Sequence, residues 1–227
     1  MCRCLLLALS AVLSAASPEL ELARDKEDRA ALEKVVNEFQ TKAGQHPNDP
    51  NALYQLALAL SYQAEVATEV KDKGQAQRAA EAGVKTAEKA IQLNPGNAEY
   101  HRIHGTLCGQ VIPANPLLGA MRYGKCAKES IDKAIAIDPK SPLAHLSRGI
   151  GNYYLPAQFG GGPELAVKDF DEAIRLDPKS ADAHLWRGIA LRKLNRNAEA
   201  HQELAKSVQL NPQRIWAKQQ LDKTPAK

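Results

Sequence analysis

The chain has 227 residues, 30 Lys and Arg against 26 Asp and Glu, and a formal net charge of +4. A quarter of it is charged and 44% is hydrophobic, which excludes wholesale disorder and a multi-span membrane protein. So small a positive excess does not supply the concentrated basic face that nucleic acid requires. Aromatic residues make up only 5% while Ala occurs 37 times, and because Ala is the strongest helix former an all-α fold is expected.

The first segment, MCRCLLLALSAVLSAASPEL, has one Arg, then an apolar run from Cys4 to Leu13, then the small residues Ser14, Ala15 and Ala16. This is the layout of a secretory signal cleaved after Ala16, and the apolar run is about half the roughly 20 residues that span a bilayer. Residues 1–16 are therefore read as a signal peptide. The product is expected to be exported, periplasmic or secreted, with no stable membrane insertion. Cys2 and Cys4 leave with the signal, and Cys108 and Cys126 remain in a compartment that permits disulfides. A bridge between them would close a loop of about 18 residues and stabilise by roughly 3 kcal/mol. The alternative is a pair of buried thiols acting as small apolar groups.

From residue 26 onward the chain reads as helices. Lys26–Ala43 carries Leu32, Val35, Val36 and Phe39 on one amphipathic face, and residues 17–46 are assigned to an amino-terminal capping segment. A repeat follows. Four segments close alike, AIQLNP at Pro95, AIAIDP at Pro139, AIRLDP at Pro178 and SVQLNP at Pro212, after a first Pro47. The intervals are 48, 44, 39 and 34 residues. Counting back from each closing Pro aligns Gly83, Ala127, Ala166 and Ala200, then Ala87, Ile131, Phe170 and Leu204, then Ala90, Ala134, Ala173 and Ser207. Spacings of four and three place these columns on one buried helical stripe. In the first half of each unit Ala57, Gly105, Gly149 and Gly188 align. Gly in mid-helix costs about 1 kcal/mol, so its recurrence implies close helix crossings.

These columns resemble the tetratricopeptide repeat, a helix–turn–helix unit of about 34 residues with small residues in both helices and a closing Pro. The resemblance covers residues 47–212. It implies an α-solenoid of about four antiparallel helix pairs, with residues 213–227 as a carboxy-terminal capping helix and tail. The chain departs from the family where Trp is frequent, with Leu53, His101, His145 and His184, and beside the Gly column, with Leu56, His104, Arg148 and Arg187. Two insertions, GQVIPANPLLGAMRYGK and NYYLPAQFGGGPELAVKDF, are apolar and rich in Pro and Gly. In the first, Asn115 reads as an N-cap and Pro116 as the first helical residue. Their PANPL and FGGGPELA stretches are similar to secreted bacterial tetratricopeptide proteins and, more loosely, to the periplasmic T component of TRAP transporters.

No cofactor, metal or catalytic set is expected. Histidines at one repeat position stand about 8–10 Å apart, one helix spacing, too far to share a metal. His101 and His104 lack an adjacent ligand in sequence, and FGGGPE lacks the Gly-Lys-Ser/Thr of a nucleotide loop. Function then rests on the surface. In the family the first helices line a concave groove, which places Tyr54, Tyr62, Arg102, Ile103, Tyr153, Tyr154, Trp186 and Arg192 as candidates for gripping a protein or peptide partner. Tyr and Trp dominate such contacts. The expected role is a non-catalytic exported scaffold. The competing role is a carrier of a small apolar ligand, which requires the loops at 111–124 and 155–163 to converge on the groove.

Overall fold

The structure, a computed structural model, describes residues 16–114 and 116–226. The expected signal segment therefore lies outside the described residues, apart from Ala16, as does the N-cap assigned to Asn115. The described residues form helices and turns without a strand. Two helices come first, α1 (Pro18–Asp25) and α2 (Arg29–Gln45). Four antiparallel pairs follow: α3 (Pro50–Glu69) with α4 (Lys73–Leu93), α5 (Ala98–Val111) with α6 (Pro116–Ile137), α7 (Pro142–Tyr154) with α8 (Pro163–Leu176), and α9 (Ala181–Lys193) with α10 (Asn197–Leu210). A short α11 (Ile215–Asp222) closes the chain. Each pair packs on the next, and α3, α5, α7 and α9 also touch in succession, so they form the inner row of a curved stack. No helix among the described residues is long and apolar enough to cross a membrane.

The repeat columns explain the packing. Ala87, Phe170 and Leu204 are wholly buried and Ile131 nearly so, as are Ala90, Ala134, Ala173 and Ser207 one turn on. A Cβ on Gly105 would stand 2.7 Å from Ile131 and 2.9 Å from the Ala127 carbonyl, and one on Gly188 would stand 2.6 Å from Leu204. At Gly149 the obstacle is the Phe170 ring. While the first pair has Ala57 and Ala87 in these columns, the glycines let the first helix of each of the last three pairs lie directly on the bulky residue of the second. A methyl group there forces overpacking that costs about 1–3 kcal/mol.

Between units the closing Pro is followed two residues later by a capping side chain. Asp49, Asn97, Ser141 and Ser180 each accept a hydrogen bond from a first-turn N–H, the usual remedy for unpaired donors at a helix start. Units differ in how they absorb extra residues. In the first pair α3 and α4 run to 20 and 21 residues, where α9 and α10 have 13 and 14. Both these pairs turn through a left-handed residue, Lys71 (φ 64°) or Asn195 (φ 61°). The middle pairs carry the insertions. The first, with a 3-10 turn at Ile112–Ala114, packs on α4, α5 and α6. The second turns at Gly160 (φ 83°) and returns to its own helix through Gly162 N–H donating to Asn152 O.

Candidate functional site

The three repeat-position histidines have a shared role that the sequence reading did not assign. His101, His145 and His184 each place Nε2 at 2.8–3.3 Å from the carbonyl of the Pro six residues earlier, Pro95, Pro139 or Pro178. Nε2–H donates to that oxygen, so the imidazole locks the turn between units instead of pointing its polar tip at water. His184 also meets Glu203 through Nδ1 at 2.6 Å. Burial raises the Glu203 carboxyl, but the His184 hydrogen bond and the Arg187 charge outweigh it and hold Glu203 below its ordinary value.

The inner row divides the predicted groove residues. Tyr54, Arg102 and Ile103 are core residues, only 5%, 7% and 1% exposed. Tyr54 Oη donates to Glu99, and Arg102 pairs with the same carboxylate at 2.8 Å. They cannot line an open groove, because the long first pair packs α3 against α5 at this point. Tyr62 is half-buried beneath the Arg24 guanidinium, 4.8 Å from its ring centre. Burial pushes the Tyr62 hydroxyl up to about 12 against the lowering charge of Arg24. Arg192 donates to Gln220 O and to Thr224 Oγ1, tying down the carboxy-terminal segment.

Arg24 belongs to a cluster that joins the two ends of the chain. It pairs with Asp25 at 3.0 Å and, across 158 residues of sequence, with Asp182 at the start of α9 at 2.8 Å. Asn211 donates to Asp25 at 2.6 Å. Arg214, 1% exposed, pairs with Glu65 at 2.9 Å and with Glu69, both on α3, and donates to the Arg24 carbonyl. Its Nε has no hydrogen-bond partner and stands 3.8 Å from Asp25. The stack therefore curls until its last turn meets its first helix, and α1 bridges the first and fourth pairs. Two guanidinium groups face four carboxylates here, Asp25, Glu65, Glu69 and Asp182. Burial and the neighbouring Glu65 raise the Glu69 carboxyl to about 8, although Arg214 lowers it. Burial would also raise Asp182, but Arg24 and Arg214 hold it below its ordinary value.

Tyr153, Tyr154 and Trp186 are brought together. Ring centres lie 5.1 Å apart for Tyr153–Tyr154, 5.8 Å for Tyr153–Trp186 and 6.0 Å for Tyr154–Trp186. Trp216 of α11 extends the row, 5.3 Å from Trp186. Sequence reasoning placed Trp216 only in the terminal cap, and its aromatic character was the available signal. Tyr154 is 59% exposed. At the other end of the row, the Arg214 guanidinium lies 5.7 Å from the Trp216 ring centre. The aromatic row thus adjoins the ionic cluster. Among the described residues, the first insertion packs on α4, α5 and α6, and the second is tied back to α7.

Cys108 and Cys126 are joined in a disulfide, with Cα atoms 6.0 Å apart, which clamps α5 to α6 across the first insertion. His104 lies against it, and burial lowers its imidazole despite the opposing charge of Glu88. Here the sequence reading needs correction. His104 has a carboxylate and both sulfurs as neighbours, Glu88 from α4, Cys108 from its own helix and Cys126 from α6.

Residues 18–155 match the family described as Regulator of microtubule dynamics protein 1-3, and residues 170–202 match the tetratricopeptide repeat. The bovine Regulator of microtubule dynamics protein 3 is 34% identical over 104 residues, 46% of this chain and 21% of that protein. Human protein 2 is 29% identical over 97 residues, 43% of this chain and 23% of that protein. The aligned segments therefore span less than a quarter of these relatives. Among solved structures, a thermophilic TPR protein of Thermus thermophilus gives a TM-score of 0.65 at 16% identity, covering 90% of this chain and 96% of that one. The HusA haemophore of Porphyromonas gingivalis gives 0.56 at 19% identity, covering 80% and 96%. At such identities the likeness establishes the fold alone, an α-solenoid of tetratricopeptide type. With more than half its length matched, the chain belongs to the family of Regulator of microtubule dynamics proteins 1-3.

Proposed function

We propose that this chain is a non-catalytic interaction scaffold that holds a segment of a partner protein against the aromatic end of its inner face. The carrying observation is the row Tyr154, Tyr153, Trp186 and Trp216, with Tyr154 more than half exposed. Large rings with few rotatable bonds bury much area at low entropic cost, which is why they recur as binding hot spots. A partner segment with apolar side chains suits the rings, and an acidic residue in it would meet Lys193, whose Nζ lies 4.3 Å from the Tyr153 ring centre. The titratable groups that converge elsewhere are committed to one another. Arg24, Asp25 and Arg214 are buried and pair among themselves and with acids of α3 and α9.

Export remains part of the proposal, supported by the signal-like layout of residues 1–16 and by a disulfide of the kind that persists in oxidising compartments. A second reading comes from family membership: contact with microtubules, as the relatives' name describes for those proteins. The two readings separate experimentally. A photo-reactive residue at position 154 should capture one partner that a probe at the outward Lys168 does not. That partner should bind the purified chain and lose binding on Trp186→Ala. Capture from both positions, or unchanged binding by the variant, would reject the aromatic site. Recovery of the native chain with residues 1–16 removed supports export, while co-sedimentation of an unprocessed cytosolic chain with polymerised tubulin supports the second reading.

A further inference from the structure

The Cys108–Cys126 bridge and His104 meet where three helices join, and the aromatic row does not use them. His104 and Cys108 are four residues apart on α5, and Cys126 and Ser130 four apart on α6, so each pair shares a helical face. His104 Nε2 stands 3.9 Å from Cys108 Sγ, 3.7 Å from Cys126 Sγ and 3.6 Å from Glu88 Oε1 on α4. The other ring nitrogen, Nδ1, is 2.9 Å from Ser130 Oγ. Cys126 Sγ is also 3.8 Å from Nδ1, so this sulfur stands beside the ring, which must turn to aim Nε2 at it, while the Ser130 hydroxyl is placed to hold Nδ1 as an outer partner holds a metal-bound imidazole.

We propose that reduction of this disulfide creates a zinc site formed by His104 Nε2, the Cys108 and Cys126 thiolates, and Glu88. With zinc–nitrogen bonds near 2.0–2.1 Å and zinc–sulfur bonds near 2.3 Å, ligand atoms of a tetrahedral site stand about 3.3–3.8 Å apart. The three distances from Nε2 already lie within or a few tenths of an ångström of that range. The sulfurs must separate from a bonded pair to about 3.8 Å, and Glu88, which lies outside the three residues whose ligand atoms are all within 4.8 Å of one another, must swing its exposed side chain toward them. Cys108 is buried and Cys126 half-buried, and the Glu88 carboxylate is 53% exposed, on the solvent side of the set.

The chemistry balances. A dithiol reductant delivers two electrons and two protons to the disulfide, leaving two thiols and its own cyclic disulfide. Zinc then displaces both thiol protons, since the thiolate is the metal ligand. Oxidation state thereby decides whether α5 and α6 are joined by a covalent bond or by a metal that also engages α4.

The test is a cobalt(II) titration of the whole chain, oxidised and reduced, without oxygen. The reduced chain should bind one equivalent, with a thiolate-to-cobalt charge-transfer band and the intense visible bands of a tetrahedral ion, bleached by zinc. The oxidised chain should show neither band. Cys126→Ser should diminish the charge-transfer band, and His104→Ala and Glu88→Gln should each weaken binding at least tenfold. Glu88→Gln is a surface change that leaves folding intact, so it keeps the test decisive if a core variant misfolds. A reduced chain without the bands, cobalt affinity unaltered by Glu88→Gln, or a reduced chain that unfolds and is not restored by zinc would each overturn the proposal.

Discussion

Two neighbouring regions of the inner face are built from opposite materials. Where the first pair meets the fourth, Arg24 and Arg214 are sunk among Asp25, Glu65, Glu69 and Asp182, and the terminal segments fill the curve. Beside them, on the third and fourth pairs, Tyr153, Tyr154 and Trp186 stack with Trp216 and keep a ring exposed. The charged region fixes the curvature by linking residues up to 190 positions apart. The aromatic region is the one proposed to offer area to a partner. A solenoid whose pairs contact mainly their neighbours has no inherent reason to close, so the ionic seal determines the shape of the surface that the rings present.

Breaking the seal should have the largest effect. Arg214→Ala leaves Glu65 and Glu69 without their buried partner, and it should cost about 3–5 kcal/mol in denaturant unfolding, as expected when one member of a buried ion network is removed. Next is the aromatic region. Tyr154→Ala should weaken partner binding by about 2 kcal/mol, roughly 30-fold in Kd, with less than about 1 kcal/mol change in stability because the ring is largely exposed. A stability loss equal to the binding loss would make Tyr154 a packing residue.

The seal also has a pH signature. The Glu69 carboxyl is raised to about 8 by burial and by Glu65, so its contribution is fully present below its ordinary value near 4.5 and is lost as pH rises through about 8. Thermal midpoints should therefore fall across that window, and Glu69→Gln should flatten the decline. An unchanged profile in the variant would place the titration elsewhere. The smallest effect is expected at Lys193→Met, which removes a cation from the Tyr153 ring and should cost less than about 1 kcal/mol. A loss of several kcal/mol would mean that Lys193 holds the aromatic row in place.

Much of the fold was legible because it depends on local spacing. The Gly column at 105, 149 and 188 and the Ala and Ile/Phe/Leu columns of the second helices need only helical register to reveal one buried stripe, and they pack as that stripe requires. The histidine column was legible as a repeat but not as a turn lock, since its acceptor is a backbone carbonyl that sequence does not display. The site was only half legible. Tyr153, Tyr154 and Trp186 come together, whereas Tyr54, Arg102 and Ile103 sink into the core where the first pair lengthens. Arg24 and Arg214 gave no signal at all. An Arg near each terminus reads as a solvated residue until curvature brings the ends together, and curvature is the sum of four helix crossings rather than a property of any window. The same holds for His104, whose sulfur and carboxylate neighbours sit on three helices.

The closure is tested most directly by amide hydrogen exchange along α1 in the wild type and in Arg214→Ala. Because Arg214 donates to the Arg24 carbonyl and faces Asp25, the carboxylate that Arg24 also pairs with, removing it should speed exchange in residues 20–25 together with α11, while α5 and α6 keep their protection. If α1 exchanges at the wild-type rate while only α11 loosens, the two ends of the chain do not hold each other.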